Sequence, residues 1–299
     1  MDLPPNYPAP TLTTPTETHC LNPEPQTPDP ASTLPTIHPT AIVDPRAKLA
    51  DDVVVGPYCI IEGDVTLGPG CKLVAHACLK GPLTMGTDNI VYPFACIGFD
   101  PQDRKFSTDT EGAGTVIGDR NFLRESVTIH RATSDHPTTL GDDNYLMANA
   151  HVAHDCTIGN DCMFANSAVI AGHVQVQDNV ILAGGAGVQQ FCRVGRLSML
   201  SGNEGITKDL PPFCIVHHTK RIGSLNVIGL RRNGYRDHIK PLQRAFDLIY
   251  KAGITTPAAA ERIENELGDD PLCKELAQFL RTADRGITQY AGSDTMYSA

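Results

Sequence analysis

Four side chains capable of acid–base chemistry stand close together in the middle of this sequence. His151, His154 and Asp155 lie in Asn149-Ala150-His151-Val152-Ala153-His154-Asp155-Cys156, and His173 lies in Ala171-Gly172-His173-Val174. A neutral imidazole beside a carboxylate is what a general base needs, because the carboxylate fixes the tautomer and stabilises the imidazolium formed after proton abstraction. Asp155 and His173 are eighteen residues apart, and Gly172, which has no side chain, stands eighteen residues after His154. Two other readings of the same residues stay open at this point. Histidines on a repetitive scaffold can be plain surface residues, and three histidines can hold zinc with one position open.

The spacing of eighteen acquires geometric meaning from the rest of the chain. In steps of six from Ile37 the residues are Val43, Leu49, Val55, Ile61, Leu67, Leu73, Leu79, Met85, Val91 and Ile97. The register breaks across 98–116, resumes at Ile117, Leu123 and Ile129, slips over 131–139, and runs unbroken from Leu140 to Ile206. All twenty-six anchors are aliphatic or Phe, and the residues two places before them are mostly small or apolar, among them Cys59, Cys71, Cys156, Cys162 and Cys192. A period of six is neither the 3.6 of a helix nor the alternation of a lone strand. It predicts one short strand and one tight corner per hexad, with three hexads closing a triangular coil. Stacked coils pair as parallel strands about 4.8 Å apart, so twenty-six hexads predict eight to nine coils and a prism on the order of 40 Å long. Residues eighteen apart then occupy equivalent places on successive coils. His154 is expected beneath a notch left by Gly172, with Asp155, His151 and His173 beside it. Glycine follows many anchors, as at Gly68, Gly86 and Gly118, where a turn backbone tolerates it best.

The fold class expected is mainly β, a parallel β-helix followed by a small α-helical C-terminal domain. Residues 1–36 hold ten Pro and eight Thr and no Lys or Arg, the composition of a disordered tail or of a ligand for a proline-binding module. The β-helix is assigned to 37–218, with loop insertions near 98–116 and 131–139. Helical patterning occupies 219–290, and 291–299 is a frayed tail. Within the helical part, Asp237 is expected to cap a helix containing Pro241, Thr256-Pro257 to open a second ending at Gly268, and Asp270-Pro271 to open a third ending near Gly286.

Composition narrows the function. No stretch is long and apolar enough to span a bilayer, and the N-terminal residues lack a basic start and an apolar run, which excludes a secretory signal. A net charge of −10 argues against non-specific binding to nucleic acid or anionic membranes. Ten cysteines with no C-x-x-C pair suggest reduced thiols in a cytoplasm.

The hexad prism resembles the left-handed parallel β-helix of the hexapeptide-repeat acyltransferases, an exception to the usual right-handed crossover. Within that group, Ile117-Gly118-Asp119-Arg120-Asn121, Arg124-Glu125-Ser126-Val127-Thr128-Ile129-His130-Arg131, the His151–Cys156 block and Gln190-Phe191-Cys192 resemble the UDP-N-acetylglucosamine O-acyltransferases, which catalyse the first step of lipid A synthesis. Asp209-Leu210-Pro211-Pro212 and Gly229-Leu230-Arg231-Arg232 extend the resemblance, which covers about residues 37–290. It implies that His154 deprotonates the sugar 3-hydroxyl, that Asp155 orients it, and that His151 and His173 line the site. Gln102, Asp103 and Lys105 match the loop that contacts the nucleotide sugar, Gln190 falls in a matched substrate-binding segment, and Asn226 and Arg232 match positions in nucleotide or donor binding. The resemblance further implies a homotrimer with active sites between prisms, a 3-hydroxyacyl donor on acyl carrier protein, no metal, no coenzyme, and Gly202 as the position whose bulk limits acyl length. The histidine spacing does not resemble the ligand set of the γ-class carbonic anhydrases, which share the coil.

Two positions depart from that family: Gln189 stands where a histidine is expected, and Ile228 where an acidic residue often is. They bear on sugar recognition and on a 3-hydroxyl against a 3-amino acceptor. A related N-acyltransferase would carry a folded uridine-binding domain in place of the proline-rich segment, a coenzyme A acetyltransferase would use a different donor, and a non-catalytic scaffold would not require the His–Asp arrangement. Between 219 and 251, eight basic residues face only Asp237 and Asp247, so that the local charge is +6 and the remainder of the chain is −16. A basic face comprising Arg231, Arg236, Lys240 and Arg244 suits an acidic carrier protein.

Overall fold

The computed structural model describes residues 34–110, 112–217 and 220–292. Most of the expected tail over 1–36 and of the frayed end over 291–299 lies outside the described residues. Chain order around each coil is first face, second face, third face, as in Tyr145–Leu146, His151–Val152 and Thr157–Ile158. The three faces are sheets of eleven, nine and eight strands, and every pairing between coils is parallel except the last, where Arg221–Leu225 runs antiparallel to Cys214–His217.

The hexad anchors fill the interior. From Val55 to Ile206 each is at most 3% exposed, and the residues two places earlier, such as Cys59, Ala77, Cys156 and Cys192, are fully buried beside them. Ile37 remains 42% exposed because, among the described residues, the first coil has a neighbour on one side only. Register between coils is carried by backbone hydrogen bonds one coil apart, for instance His151 N to Ala168 O at 2.9 Å and Val169 N to Ala186 O at 2.8 Å.

One corner is stitched more heavily than the others. Where the third face turns into the first, Asn89, Asn121 and Asn144 occupy interior positions otherwise held by small apolar residues, and all three are fully buried. Asn89 Oδ1 accepts from Asn121 N and Nδ2, Asn121 Oδ1 from Asn144 N, and Asn144 Oδ1 from Cys162 N, each at 2.9 Å. Outside them, Asp119, Asp142, Asn160 and Asp178 each accept the backbone N–H of the coil before, at 2.6–2.8 Å. The glycines that directly follow an anchor at this corner serve close approach rather than backbone freedom. A Cβ on Gly68 would lie 2.6 Å from Gly86 O, and one on Gly141 would lie 2.7 Å from Gly159 O. Left-handed backbone falls instead on the residue three before an anchor, Gly70 at φ 72° at this corner and mostly non-glycine residues elsewhere, including Asp155 and His173, both at φ 59°.

Both insertions leave from a different corner, between the second and third faces. One separates strand Cys96–Phe99 from Thr115–Ile117, and the other separates Thr128–His130 from Thr138–Leu140. The β-structure also continues past the last hexad: Cys214–His217 pairs with Met199–Leu200 and folds back into Arg221–Leu225, so strand occupies ground expected to be helical.

The helices are α1 (Val227–Arg232), α2 (Ile239–Tyr250), α3 (Thr256–Leu267) and α4 (Pro271–Arg281). α3 is capped by Thr255, whose hydroxyl accepts from Ala258 N, and ends at Gly268 as expected. Asp270 caps α4 by accepting from Leu272 N and Cys273 N. Its second oxygen takes His238 Nδ1 at 2.8 Å, which ties the start of α2 to that of α4. Asp237 is therefore not the cap of α2; it sits in a 3-10 turn at Arg236–His238, and α2 begins at Ile239. α4 stops at Arg281, short of Gly286, because the Thr282 hydroxyl and the Arg193 guanidinium both donate to Phe279 O.

Asn121→Ala would strip the ladder of its central rung and leave buried groups on Asn89 and Asn144 unpaired. The expected loss is about 1–3 kcal/mol of stability, read as a lowered midpoint in thermal unfolding followed by circular dichroism. A change within about 0.5 kcal/mol would show that backbone pairing alone holds the register.

Candidate active site

The corner between the second and third faces gathers the reactive side chains. Going up the prism, successive coils present loop 100–114, loop 131–137, His154–Asp155, Gly172–His173 and Phe191. His154 is 8% exposed, and its Nδ1 lies 2.6 Å from Asp155 Oδ2. Since an ionised carboxylate only accepts, Nδ1 carries the proton and Nε2 is left with its lone pair. A Cβ at Gly172 would fall 2.6 Å from His154 Cε1, so the imidazole occupies space that only a glycine leaves. The His173 ring meets the His154 ring edge-on at 5.2 Å, its Nε2 is 3.5 Å from Asp155 Oδ2, and Phe191 stacks on its outer side at 4.6 Å.

Asp155 is the most heavily bonded group in the site. Burial pushes its carboxyl up, but the hydroxyls of Ser134 and Thr133, His154 and the Thr133 N–H outweigh this and hold it well below the usual carboxylate range. His154, Asp155 and His173 bring possible ligand atoms within 4.8 Å of one another. Both carboxylate oxygens already accept N–H and O–H donors, which leaves little for a cation.

His151 projects from the second face, with Nδ1 hydrogen-bonded to Thr128 Oγ1 at 2.7 Å. Burial, and then the neighbouring His154, lower its pKa. His130, one coil below, meets the His151 ring edge-on at 4.9 Å, and its Nδ1 is buried without a partner. Burial, then His151 and His154, pull it down to about 4.

The remaining candidates are spread over the molecule. Gln102 and Lys105 are exposed on loop 100–114, and Asp103 Oδ1 accepts from Lys105 N. That loop is fastened to the same corner by the buried Arg131, which pairs with Asp100 at 2.8 Å, donates to Thr110 O and lies over the Phe106 ring. Gln190 is exposed beside Phe191, and Gln189 and Ile228 are exposed as well. Asn226 is 7% exposed with both ends of its amide engaged: Oδ1 accepts from Gly229 N and caps α1, and Nδ2 donates to Leu197 O. Leu197 belongs to the corner between the third and first faces, so one chain does not bring Asn226 to His154. Arg232 follows at the exposed end of α1.

Gly202 sits between the first and second faces and is exposed, not part of a close-packed wall. Arg231, Arg236, Lys240 and Arg244 are exposed, but Arg244 is met by Glu266 at 2.9 Å, a partner from α3 that a window in sequence could not include. Thr128, His130, Thr133, Ser134 and Phe191 carry contacts in the site that spacing did not assign. Phe191 was within reach of the argument, since it stands eighteen residues beyond His173.

The depressed histidines make stability depend on pH. An unfolded chain takes up protons near pH 6.5, whereas His130 in the fold resists them until about 4. The unfolded state therefore binds more protons in that window, and stability falls as pH drops from about 6.5 to 4. The thermal midpoint, measured across this range, is expected to fall with acidification, and His130→Phe to flatten the slope. An unchanged slope in the variant would show that His130 does not carry the effect.

Comparison with known proteins agrees with this geometry. Residues 46–81 and 137–172 match the bacterial transferase hexapeptide repeat, and 209–288 match the second domain of UDP-N-acetylglucosamine O-acyltransferase. The acyl-(acyl-carrier-protein)–UDP-N-acetylglucosamine O-acyltransferase of Stenotrophomonas maltophilia is 41% identical over 259 residues, covering 85% of this chain and 97% of that one. Its counterpart from Thermodesulfovibrio yellowstonii is 39% identical over 84% of this chain and 98% of that one. Among solved structures, the UDP-N-acetylglucosamine acyltransferase of Bacteroides fragilis superposes with a TM-score of 0.82 at 36% identity, over 85% of this chain and all of that one. At these identities and coverages, the chain belongs to the family of acyl carrier protein-dependent UDP-N-acetylglucosamine O-acyltransferases.

Proposed function

We propose that this protein transfers a 3-hydroxyacyl chain from acyl carrier protein to the 3-hydroxyl of UDP-N-acetylglucosamine, the first step of lipid A synthesis. The observation that carries the reading is His154, its ring seated in the space left by Gly172, with Nδ1 committed to an ionised Asp155 and Nε2 left with its lone pair. Nε2 takes the proton of the sugar hydroxyl as its oxygen attacks the thioester carbonyl. The tetrahedral intermediate collapses with loss of the carrier thiolate, and the imidazolium returns the proton to that sulfur. His151 and His173 flank the base and line the sugar pocket, and loop 100–114 offers Gln102, Asp103 and Lys105 to the nucleotide sugar. No step calls for a metal or a coenzyme.

The site is completed by a second prism in a homotrimer. Two features support this: Asn226 and Arg232 belong to a different edge of the chain from His154, and the surface carries an apolar strip. Tyr58, His76 and Phe94 stack on successive coils at 5.0 and 5.2 Å, with Tyr58 and Phe94 57% and 61% exposed. An exposed apolar patch of this kind marks an association surface. Gln190 on the coil above His173, with Asn226 and Arg232 of a neighbouring prism, would hold nucleotide or donor. Arg231 on α1, Arg236 in the 3-10 turn and Lys240 at the start of α2 suit an acidic carrier protein, with Arg244 contributing less because Glu266 offsets it. The described cysteines are all free thiols, in keeping with a cytoplasmic setting, and among the described residues no helix is long and apolar enough to cross a membrane.

The acyl chain is assigned to the second face between His154 and Gly202. There Gly184, Gly187, Gly202 and Gly205 stand on adjoining coils, and a Cβ on any of them would meet nothing closer than 3.5 Å. A side chain at 202 would project into that trough rather than overpack a core.

Two experiments test the reading. His154→Ala, assayed with acyl carrier protein and acyl-coenzyme A donors side by side, is expected to lose about 10²–10⁴ in turnover while remaining folded, with the carrier-protein donor strongly preferred in the wild type. Retention of more than about a tenth of the rate would remove His154 from the role of base. Gly202→Met is expected to shift preference among competing donors of graded length toward shorter chains, since a tenfold change needs only about 1.4 kcal/mol of steric penalty. The same order of preference in both proteins would mean that Gly202 does not face the acyl chain.

A further inference from the structure

The slip in the hexad register at 131–139 contributes directly to the site. The loop it produces lies one coil beneath His154–Asp155, at the same corner, and turns Thr133 and Ser134 onto the Asp155 carboxylate. Oδ1 accepts from Thr133 N at 3.1 Å, Ser134 N at 3.0 Å and Ser134 Oγ at 2.6 Å. Oδ2 accepts from Thr133 Oγ1 at 2.7 Å and His154 Nδ1 at 2.6 Å. Two residues thus supply four of the five hydrogen bonds on a side chain that is 4% exposed. Where the loop ends, the Thr138 hydroxyl accepts from Asp155 N at 2.8 Å, fixing the backbone as well.

We propose that Thr133 and Ser134 are positioning residues of the general base, acting through Asp155. The inference rests on the reading of His154 as that base. The carboxylate has two imidazoles within reach, His154 Nδ1 at 2.6 Å and His173 Nε2 at 3.5 Å. Four donors from below pin both oxygens and hold Oδ2 toward His154. Without them a rotation about the Cβ–Cγ bond brings the carboxylate to His173, and His154 loses the partner that fixes its tautomer. Neither residue was assigned from spacing, because the insertion places Thr133 twenty-two residues before Asp155, outside the coil period.

The test compares Thr133→Val, Ser134→Ala and the double variant with the conservative pair Thr133→Ser and Ser134→Thr, alongside His154→Ala. For the double variant, kcat with acyl carrier protein donor is expected to fall about tenfold or more, a part of what general-base loss produces, with KM for UDP-N-acetylglucosamine nearly unchanged. The acidic limb of the kcat/KM profile is expected to move to lower pH, since a carboxylate free to turn toward His173 stabilises the His154 imidazolium less. The other groups facing the pair, His130, His151 and His173 and, across the cleft, Arg193, Asp209, Asp284 and Arg285, are common to all variants, so the displacement reports on the clamp. The conservative variants, which keep both hydroxyls, are expected to restore rate and profile. A double variant with wild-type kcat and pH profile, while His154→Ala is inactive, overturns the proposal and leaves the base in place. An active His154→Ala overturns the base itself. Should the double variant fail to fold, the single variants, each retaining four of the five bonds, decide by the same two readouts.

Discussion

The structure depends on registration between coils. Each coil hydrogen-bonds to the next through residues one repeat apart, and as long as that relation holds, every anchor faces inward and every corner stacks on the corner below. A slip of one residue would turn the apolar row to solvent and the polar row to the core. Buried asparagines, an outer row of Asp and Asn, and glycines whose Cβ atoms would collide with the next coil all reinforce registration at the corner between the third and first faces. This corner is therefore the spine, and the site sits at another.

With the spine fixed, the corner between the second and third faces is free to deliver chemistry. It places His154, Asp155, His173 and Phe191 on consecutive coils, while the second face brings His130 and His151 alongside. Burial, and then the neighbouring imidazoles, disfavour charge on His130 and His151, and both shift downward accordingly. Of these four, His154 is the one held closest to a carboxylate, at 2.6 Å from Asp155 Oδ2. The division of labour among four histidines is thus set by where the single Asp155 charge is aimed.

Much of this was legible from spacing. The repeat of six marks which residues are interior, and its multiple of eighteen brings His154, Asp155, Gly172 and His173 together. What escaped did so for physical reasons. Thr133 and Ser134 lie in an insertion, where counting by coils fails. Glycine directly after an anchor reads in sequence as turn freedom, whereas the distances at Gly68 and Gly141 show crowding between coils. The hairpin of Cys214–His217 with Arg221–Leu225 carries no hexad, since it is held by pairing to its neighbours rather than by a repeat of its own. The excess of positive charge around Arg244 was overestimated because Glu266 arrives from another helix. Asn226 rests on family likeness alone, and within one chain its amide bonds to α1 and Leu197.

That both insertions leave at one edge while the opposite edge is stitched bears on how such a protein can change over generations. A lengthened loop at the unstitched edge leaves the ladders on either side in step, so added residues do not disturb the stacking above or below. The same prism can therefore vary the contents of its catalytic edge by insertion as well as by substitution, and a segment grown there, like 131–137, is placed from the outset beside the reactive groups. Variation in length at the spine would find no such tolerance.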